Sequence, residues 1–569
     1  MEKQPGGHRG ISAVKSEVFG MNIRYKNFAA RFAFCFLALA LNSLSAQAAT
    51  YYIRANGSNT NSGLSPAHPW RDASRVNQQN YRPGDRILFF GGDTFAGGLR
   101  FDQKSQGTPG RPITLGSYGK GRAIINAGVG SGLRIENAGN WTVRDLVFVS
   151  PLRTANRGSG VKFTNTLPNG AKLANIRIEN VEAHGFKSEG ICVAGEPADK
   201  SQSGYENVRI THCAASDNGY YGIYVVGVWD TNSKSYANRN VLIDYCVAHD
   251  NTGDPNFREN HSGIGILLDD VETGRIEYCI AYENGALCNC PIGGPVGIWA
   301  HAANHVIIQH CVSFRNKTGL SVDGGGFDFD GGVTNSVMQY NYSSGNYGAG
   351  YLLYNYASAP HKFHHNIVRF NISENDGRCN NYGGIVIGND GSGVHDLEIY
   401  HNTVFIGATN IGGHPKTIEV RNASRIYVRN NLFIAAGGVP AAQITDKQTD
   451  IVFQGNAYWN QTGELNFLDK GKSYRSLAEW RKATGQEMRD GTATGFTENP
   501  FLPHPDANET LGDISRLPYL SAYRPSPAFL LKVHAPDLRR ELKLDIGKQD
   551  FAGHPLPQNK PLAPGAYQP

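Results

Sequence analysis

Charged residues are scarce: Asp, Glu, Lys and Arg make up 18% of the 569 residues, against 68 glycines and only four methionines. That balance argues against a helical bundle or coiled coil, whose charged share is a quarter or more. No segment beyond residue 48 has the ~20 apolar residues that a membrane-spanning helix requires. No GxGxxG, P-loop, HExxH or GxSxG occurs in the context that would give it a mechanism. Excess charge of one sign is missing too. Residues 1–48 hold six basic and two acidic residues, which leaves 48 basic and 47 acidic in the rest. A neutral body has no electrostatic footprint for a phosphate backbone, so nucleic acid is excluded as a partner.

What is present begins with a leader. Arg24, Lys26 and Arg31 precede an apolar run from Phe32 to Leu41, and the small residues Ala46, Ala48 and Ala49 follow. This is the order of a secretory signal, with cleavage expected near Ala48 and a start at Met21 or Met1. The expectation is a secreted or periplasmic protein of a Gram-negative bacterium, monomeric and without a membrane anchor.

Nine short alternating segments then repeat. One column reads Val181, Cys213, Cys246, Cys279, Cys311, Asn341, Asn371, Asn402 and Asn431, at steps of 29 to 33 residues. A second strand motif follows in each repeat, starting at Gly190, Gly222, Gly265, Gly297, Gly326, Gly350 and Gly384. Short strands, Gly/Asn turns and no helical period define an all-β parallel solenoid of about ten coils. The expected organisation is a leader over 1–48, an N-terminal cap over 49–125, repeats over 126–460, and a C-terminal cap with a Pro-rich tail over 461–569. The column cysteines read as core residues. Cys288, Cys290 and Cys379 lie in loops, where one disulfide is admissible.

In a strand, alternate side chains face opposite ways. In the second motif the inward positions are apolar throughout, Ile191 to Ile387. The outward positions change character midway, where Asp269, His301, Asp328 and Asp330 concentrate, flanked by Tyr224, Trp299 and Tyr354. Asp269, His301 and Asp330 should share one column at about 4.8 Å per coil, with Asp328 about 6–7 Å from Asp330. Paired carboxylates at such spacing suit glycoside hydrolysis, and exposed aromatics suit sugar rings. Asp270 and Lys317 are further candidates for substrate binding. Asp323 with Asp328 could take Ca²⁺, a cation that prefers oxygen ligands; no other cofactor is expected.

The stretches Tyr51–Trp70, Arg82–Phe95 and Asp550–Pro569, with Tyr458 and Trp480, resemble the caps of secreted right-handed parallel β-helix proteins of the pectate lyase-like superfamily. That resemblance implies a carbohydrate-active protein with its site in a groove on the helix. Asp323–Asn346 partly resembles family 9 polysaccharide lyases. Asp328 carries over as a calcium ligand, but Gly324 and Gly325 stand where that family has an acidic pair, and Leu352 where it has its lysine base. The favoured expectation is therefore an exported glycoside hydrolase acting on a polysaccharide or oligosaccharide. Asp328 and Asp330 would be its carboxylate pair, Asp269 a third acid and His301 a proton shuttle. A polysaccharide lyase or uronate epimerase with His301 as base is the alternative. A non-catalytic glycan-binding solenoid is the third reading.

Overall fold

The structure, a computed structural model, describes residues 47–569 except 392, 410–411, 446–448, 507–509 and 559. The proposed leader lies almost wholly outside these residues. From Ala49 onward the chain winds as a parallel β-helix of about eleven coils. Strand follows strand in parallel register; among the described residues the antiparallel strand pairs are Phe467–Tyr474 and Met488–Ala493, and isolated antiparallel bridges join Thr108 to Arg111 and Gln549 to Pro555.

Seven strands build the sheet that matters most here. They are β1 (Glu189–Gly195), β2 (Tyr221–Val226), β3 (Ile264–Glu277), β4 (Val296–Gln309), β5 (Gly325–Asp330), β6 (Tyr351–Asn355) and β7 (Gly383–Asn389). Their registers align Ile191, Ile223, Ile266, Ile298, Phe327, Tyr351 and Ile385 in one inward row. Every member is fully buried. Burying each large apolar side chain contributes about 1.5–3 kcal/mol, so this row pins the register.

The Cys/Asn column is inward as expected, and all eight described cysteines are free thiols. No disulfide joins Cys288, Cys290 or Cys379, so the admitted loop disulfide is not found. Cys288 and Cys290 are instead buried against the loop backbone, the Cys290 thiol donating to the Ile292 carbonyl at 2.5 Å.

The asparagines form a ladder. Asn341, Asn371, Asn402 and Asn431 each donate from Nδ2 to the Oδ1 of the next, ending through Asn456 on Glu487, at 2.7–3.0 Å. A second, parallel ladder runs from Asn218 through Asn251, Asn284, Asn316 and Asn346 to Asp376, at 2.8–3.0 Å. Each rung also satisfies backbone groups at a coil corner, which is why a polar residue is stable inside.

Beside the inward column, the preceding residue of each coil is left-handed without being glycine: His212, Tyr245, Tyr278, His310, Tyr340, Phe370 and His401, with φ between 51° and 59°. That conformation costs an L-residue about 1–2 kcal/mol. Stacking of successive rings, 4.9–5.1 Å apart from His212 to Tyr340, offsets part of it. The C-terminal segment packs Leu538, Ile546, Leu556 and Leu562 over Tyr340, Phe370 and Tyr400. At the end of the core, a helix (Leu477–Thr484) capped by Ser476 and Gly485 buries Trp480 on Phe467.

Candidate functional site

Register alone assembles the site. Asp269, His301, Asp330 and Tyr354 are paired across β3, β4, β5 and β6, and Leu267, Trp299, Asp328 and Leu352 form the row beside them. The column expected from strand alternation is therefore the one the coils build.

Within it, His301 is clamped at both nitrogens. Nδ1 lies 2.7 Å from Asp269 Oδ1, and Nε2 lies 2.5 Å from the Tyr356 hydroxyl. Asp269 also accepts from the Tyr224 hydroxyl at 3.1 Å. Burial disfavours the imidazolium, but the charge and hydrogen bond of Asp269 outweigh it and raise the His301 pKa. The imidazole lies nearly parallel to two other rings, Trp229 at 5.5 Å and Tyr356 at 5.9 Å. Gly331, with φ of 46°, must stay glycine, since a Cβ there would run into His301 Nε2 and the Tyr356 ring.

The three carboxylates at β5 differ sharply in environment. Asp328 is 2% exposed, its Oδ1 has no hydrogen-bond partner, and burial with the charges of Asp330 and Asp323 pushes its pKa well up. Asp330 is half-buried, and its Oδ1 accepts from the Gly331 N–H at 2.7 Å. Burial lifts its pKa to about 7, while the nearby His301 pulls it down. Asp323 precedes β5 in a left-handed turn and is also half-buried. Its Oδ1 accepts from the Tyr382 hydroxyl at 2.6 Å. Burial raises its pKa, against the Tyr382 bond and the charge of Arg421. Arg421 sits 5.8 Å from the Tyr354 ring and 5.9 Å from the Tyr382 ring.

Some expected residues are placed otherwise. Trp299 points outward but is 3% exposed, packed with Tyr221, Leu267 and Val296. His261, on the loop before β3, lies edge-on to it at 5.4 Å. Strand alternation gives a direction but not whether a loop lies over it, so Trp299 lines no open sugar surface. Lys317 is paired with Glu283 at 2.5 Å, and that carboxylate also holds Arg315. Asp270 is 5% exposed with Oδ2 unpartnered, and burial and the charge of Asp269 lift its pKa to about 8. Asp323 and Asp328 make a poor calcium cage: Ca²⁺ takes six to eight oxygens. Among the described residues no group of three His, Cys, Asp or Glu side chains is placed to hold a metal ion.

Four residues that face this centre escape strand patterning: Trp229, Tyr356, Tyr382 and Arg421. Trp229 and Tyr356 lie outside the seven strands, and Tyr382 directly precedes β7. Their only sequence signal is residue type, an aromatic or cation within a polar loop.

Comparison with known proteins bears on the fold that carries these residues. Residues 122–368 match the family model described as the right handed beta helix region. The fold is a right-handed β-helix. Lacto-N-biosidase of Bifidobacterium longum subsp. longum is 23% identical over 519 residues, covering 76% of this chain and 31% of that protein. The chain thus spans about a third of the length of this curated relative. The crystal structure of a GH136 lacto-N-biosidase from Eubacterium ramulus, a selenomethionine derivative, superposes with a TM-score of 0.51 at 18% identity. It covers 78% of this chain and 71% of its own. A pectate lyase, Pel9A, superposes at 0.36 with 15% identity over 93% of this chain and 98% of its own.

Proposed function

We propose that this β-helix is an exported glycoside hydrolase, secreted or periplasmic, that cleaves an oligosaccharide or polysaccharide with Asp330 and Asp323. The observation that carries the reading is the surroundings of these two half-buried carboxyl groups: burial raises both pKa values, but only Asp323 accepts from a tyrosine hydroxyl and feels an arginine. Asp330, with its pKa near 7, holds a proton that it can give to a glycosidic oxygen at neutral pH. Asp323, steadied by the Tyr382 hydroxyl and the charge of Arg421, is the carboxylate that attacks the anomeric carbon or activates water. Asp328 is too enclosed to touch a sugar, so it acts on the pair through its neighbourhood. His301, held by Asp269 and Tyr356, sets the charge beside Asp330. The similarity to lacto-N-biosidases supports glycosidic chemistry and makes lacto-N-biose linkages the first to test.

The chemistry is read directly from products. Purified protein from Ala49 onward should release reducing ends from a p-nitrophenyl lacto-N-bioside or from a glycan in a neutral and acidic panel, without new absorbance near 235 nm. Absorbance rising with the reducing ends would mean β-elimination, and the hydrolase reading would fall.

His301 supplies a second expectation. Its positive charge lowers the Asp330 pKa. A general acid works only while protonated, so kcat/KM should fall as pH rises through about 7. In His301→Gln that charge is gone, Asp330 keeps its proton longer, and the alkaline limb should move to higher pH. A limb that stays put or moves down would remove His301 from this role.

A further inference from the structure

The hydrogens around His301 can be assigned from its partners. Asp269 is an acceptor at both oxygens, from His301 Nδ1 at 2.7 Å and from the Tyr224 hydroxyl at 3.1 Å, so Nδ1 carries a hydrogen. Asp269 favours the imidazolium by contact, and Asp330, its neighbour in register, by charge. The other two imidazoles that face His301 stay neutral at pH 7. Burial and the charge of His301 push the His261 pKa down to about 4 and lower that of His361. Nε2 of His301 therefore carries a hydrogen too, and gives it to the Tyr356 oxygen at 2.5 Å. Tyr356 accepts in that bond, which leaves its own hydroxyl hydrogen unspent. No other described residue takes it.

The hydroxyl is fixed in place beside the acid. The Tyr356 ring lies within 6° of the His301 plane and 14° of the Trp229 plane. Its Cε1 edge fills the space where a Gly331 side chain would begin, and Gly331 directly follows Asp330. Asp330 and Tyr356 are both half-buried, so each keeps a face open at this end of β5. Burial and the charges of Asp330 and Asp269 raise the Tyr356 pKa, so the hydroxyl retains its hydrogen. We propose that Tyr356 is a substrate-binding donor, giving that hydrogen to a hydroxyl or N-acetyl oxygen of the sugar held at Asp330. The donation depends on His301. A neutral His301 keeps its hydrogen on Nδ1 for Asp269, and Nε2 becomes an acceptor. Tyr356 then turns its hydrogen to Nε2, and the sugar loses its bond. Affinity should fall as pH rises through the His301 titration. The titratable groups that face His301 are Asp269 and Asp270 on β3, Asp330 on β5, Asp230 beside Trp229, and the loop residues His261 and His361. The proposal rests on the hydrolase reading for the place of the sugar, but binding can be tested without turnover.

The experiment uses the Asp330→Asn chain, with and without Tyr356→Phe. Lacto-N-biose, cellobiose, xylobiose and digalacturonate are titrated by calorimetry at pH 6 and pH 9. Phenylalanine keeps the ring, so the melting temperature should hold. At pH 6 Tyr356→Phe should weaken the best-bound disaccharide about fivefold, the scale of one lost hydrogen bond between neutral groups. At pH 9 the two proteins should bind alike within twofold, because the tyrosine hydrogen is then on His301. Monodeoxy and N-deacylated forms of that disaccharide locate the acceptor: one of them should bind both proteins alike at pH 6. In the active enzyme Tyr356→Phe should raise KM by the same factor at pH 6. The proposal is overturned if no disaccharide binds at 10 mM or if Tyr356→Phe leaves the pH 6 affinity unchanged. It is also overturned if the loss is equal at both pH values or persists against every deoxy and deacylated form, which would mean that Tyr356 acts only through His301. Binding that needs Tyr356 in a protein that hydrolyses nothing would keep the contact and sink the hydrolase. Hydrolysis with KM indifferent to Tyr356→Phe at pH 6 would do the reverse.

Discussion

Asp330→Asn should lower kcat by about 10³-fold, within the range that general acid catalysis supplies, and leave the melting temperature nearly unchanged. The side chain is half-buried at the end of β5, and an amide oxygen can still accept from the Gly331 N–H. The loss is therefore chemical rather than structural. Asp323→Asn should cost as much, because an amide cannot carry the negative charge that attack or water activation requires. The double variant should be little worse than either single one, as for groups acting as a unit. Asp328→Asn separates this pair from the Asp328–Asp330 pair that strand spacing alone suggests. At 2% exposure, with burial and the charges of Asp330 and Asp323 pushing its pKa well up, Asp328 is the carboxyl of the three least suited to carry charge or touch a sugar. A neutral amide of the same shape should then cost less than tenfold in kcat. Steady-state kinetics on one substrate decides among them. An Asp330→Asn protein with more than a tenth of wild-type kcat would end the assignment, and a thousandfold loss in Asp328→Asn would move it to the neighbouring row.

The coil is legible in the sequence because a solenoid repeats. The Cys213-to-Asn431 column recurs every 29 to 33 residues and the Asp269–His301–Asp330 row at steps of 32 and 29, so both align from residue types and spacing alone. Strand alternation fails where loops intervene. It places Trp299 outward, yet His261 and its loop bury it, and it says nothing of Trp229 or Tyr356, which reach His301 from outside the strands. Asp323 reads as secondary in the sequence because it precedes β5. Only the turn shows that it faces Tyr382, 59 residues further on. Lys317 reads as free because its partner, Glu283, lies one coil earlier. The second ladder recurs just as regularly, at steps of 30 to 33 residues from Asn218 to Asp376, but it sits at corners between strands where apolar periodicity gives no cue.

That second ladder is where stability should be most sensitive. Asn346 Oδ1 accepts from both the N–H and the Nδ2 of Asn316, each at 2.9 Å, and its Nδ2 donates to Asp376 at 2.8 Å. Asn346→Leu strands the Asn316 N–H in the core, at about 1–3 kcal/mol, and removes further bonds to Asn316 Nδ2, Asp376 Oδ1, Ser313 O and Ser343 Oγ, at about 0.5–1.5 kcal/mol each. A net loss of about 4 kcal/mol corresponds to about 4 °C in Tm for a chain of this size. The terminal rung adds a pH signature. Asp376 is fully buried, and burial raises its pKa to about 6 despite bonds from Ser373 and Asn346. The unfolded chain gives up this proton near pH 4, whereas the folded one holds it to about 6. Folding stability contributed by Asp376 is therefore greatest below pH 4 and declines as pH rises to about 6, by roughly 3 kcal/mol, then levels off. Asp376→Asn keeps the Oδ1 acceptor for Asn346 and has no proton to lose. Its Tm should gain on the wild type between pH 4 and pH 6 and run parallel to it above. Calorimetric scans at half-unit pH steps would show this divergence, and a constant offset between the two proteins would mean that Asp376 is ionised throughout and that the ladder ends on a buried anion.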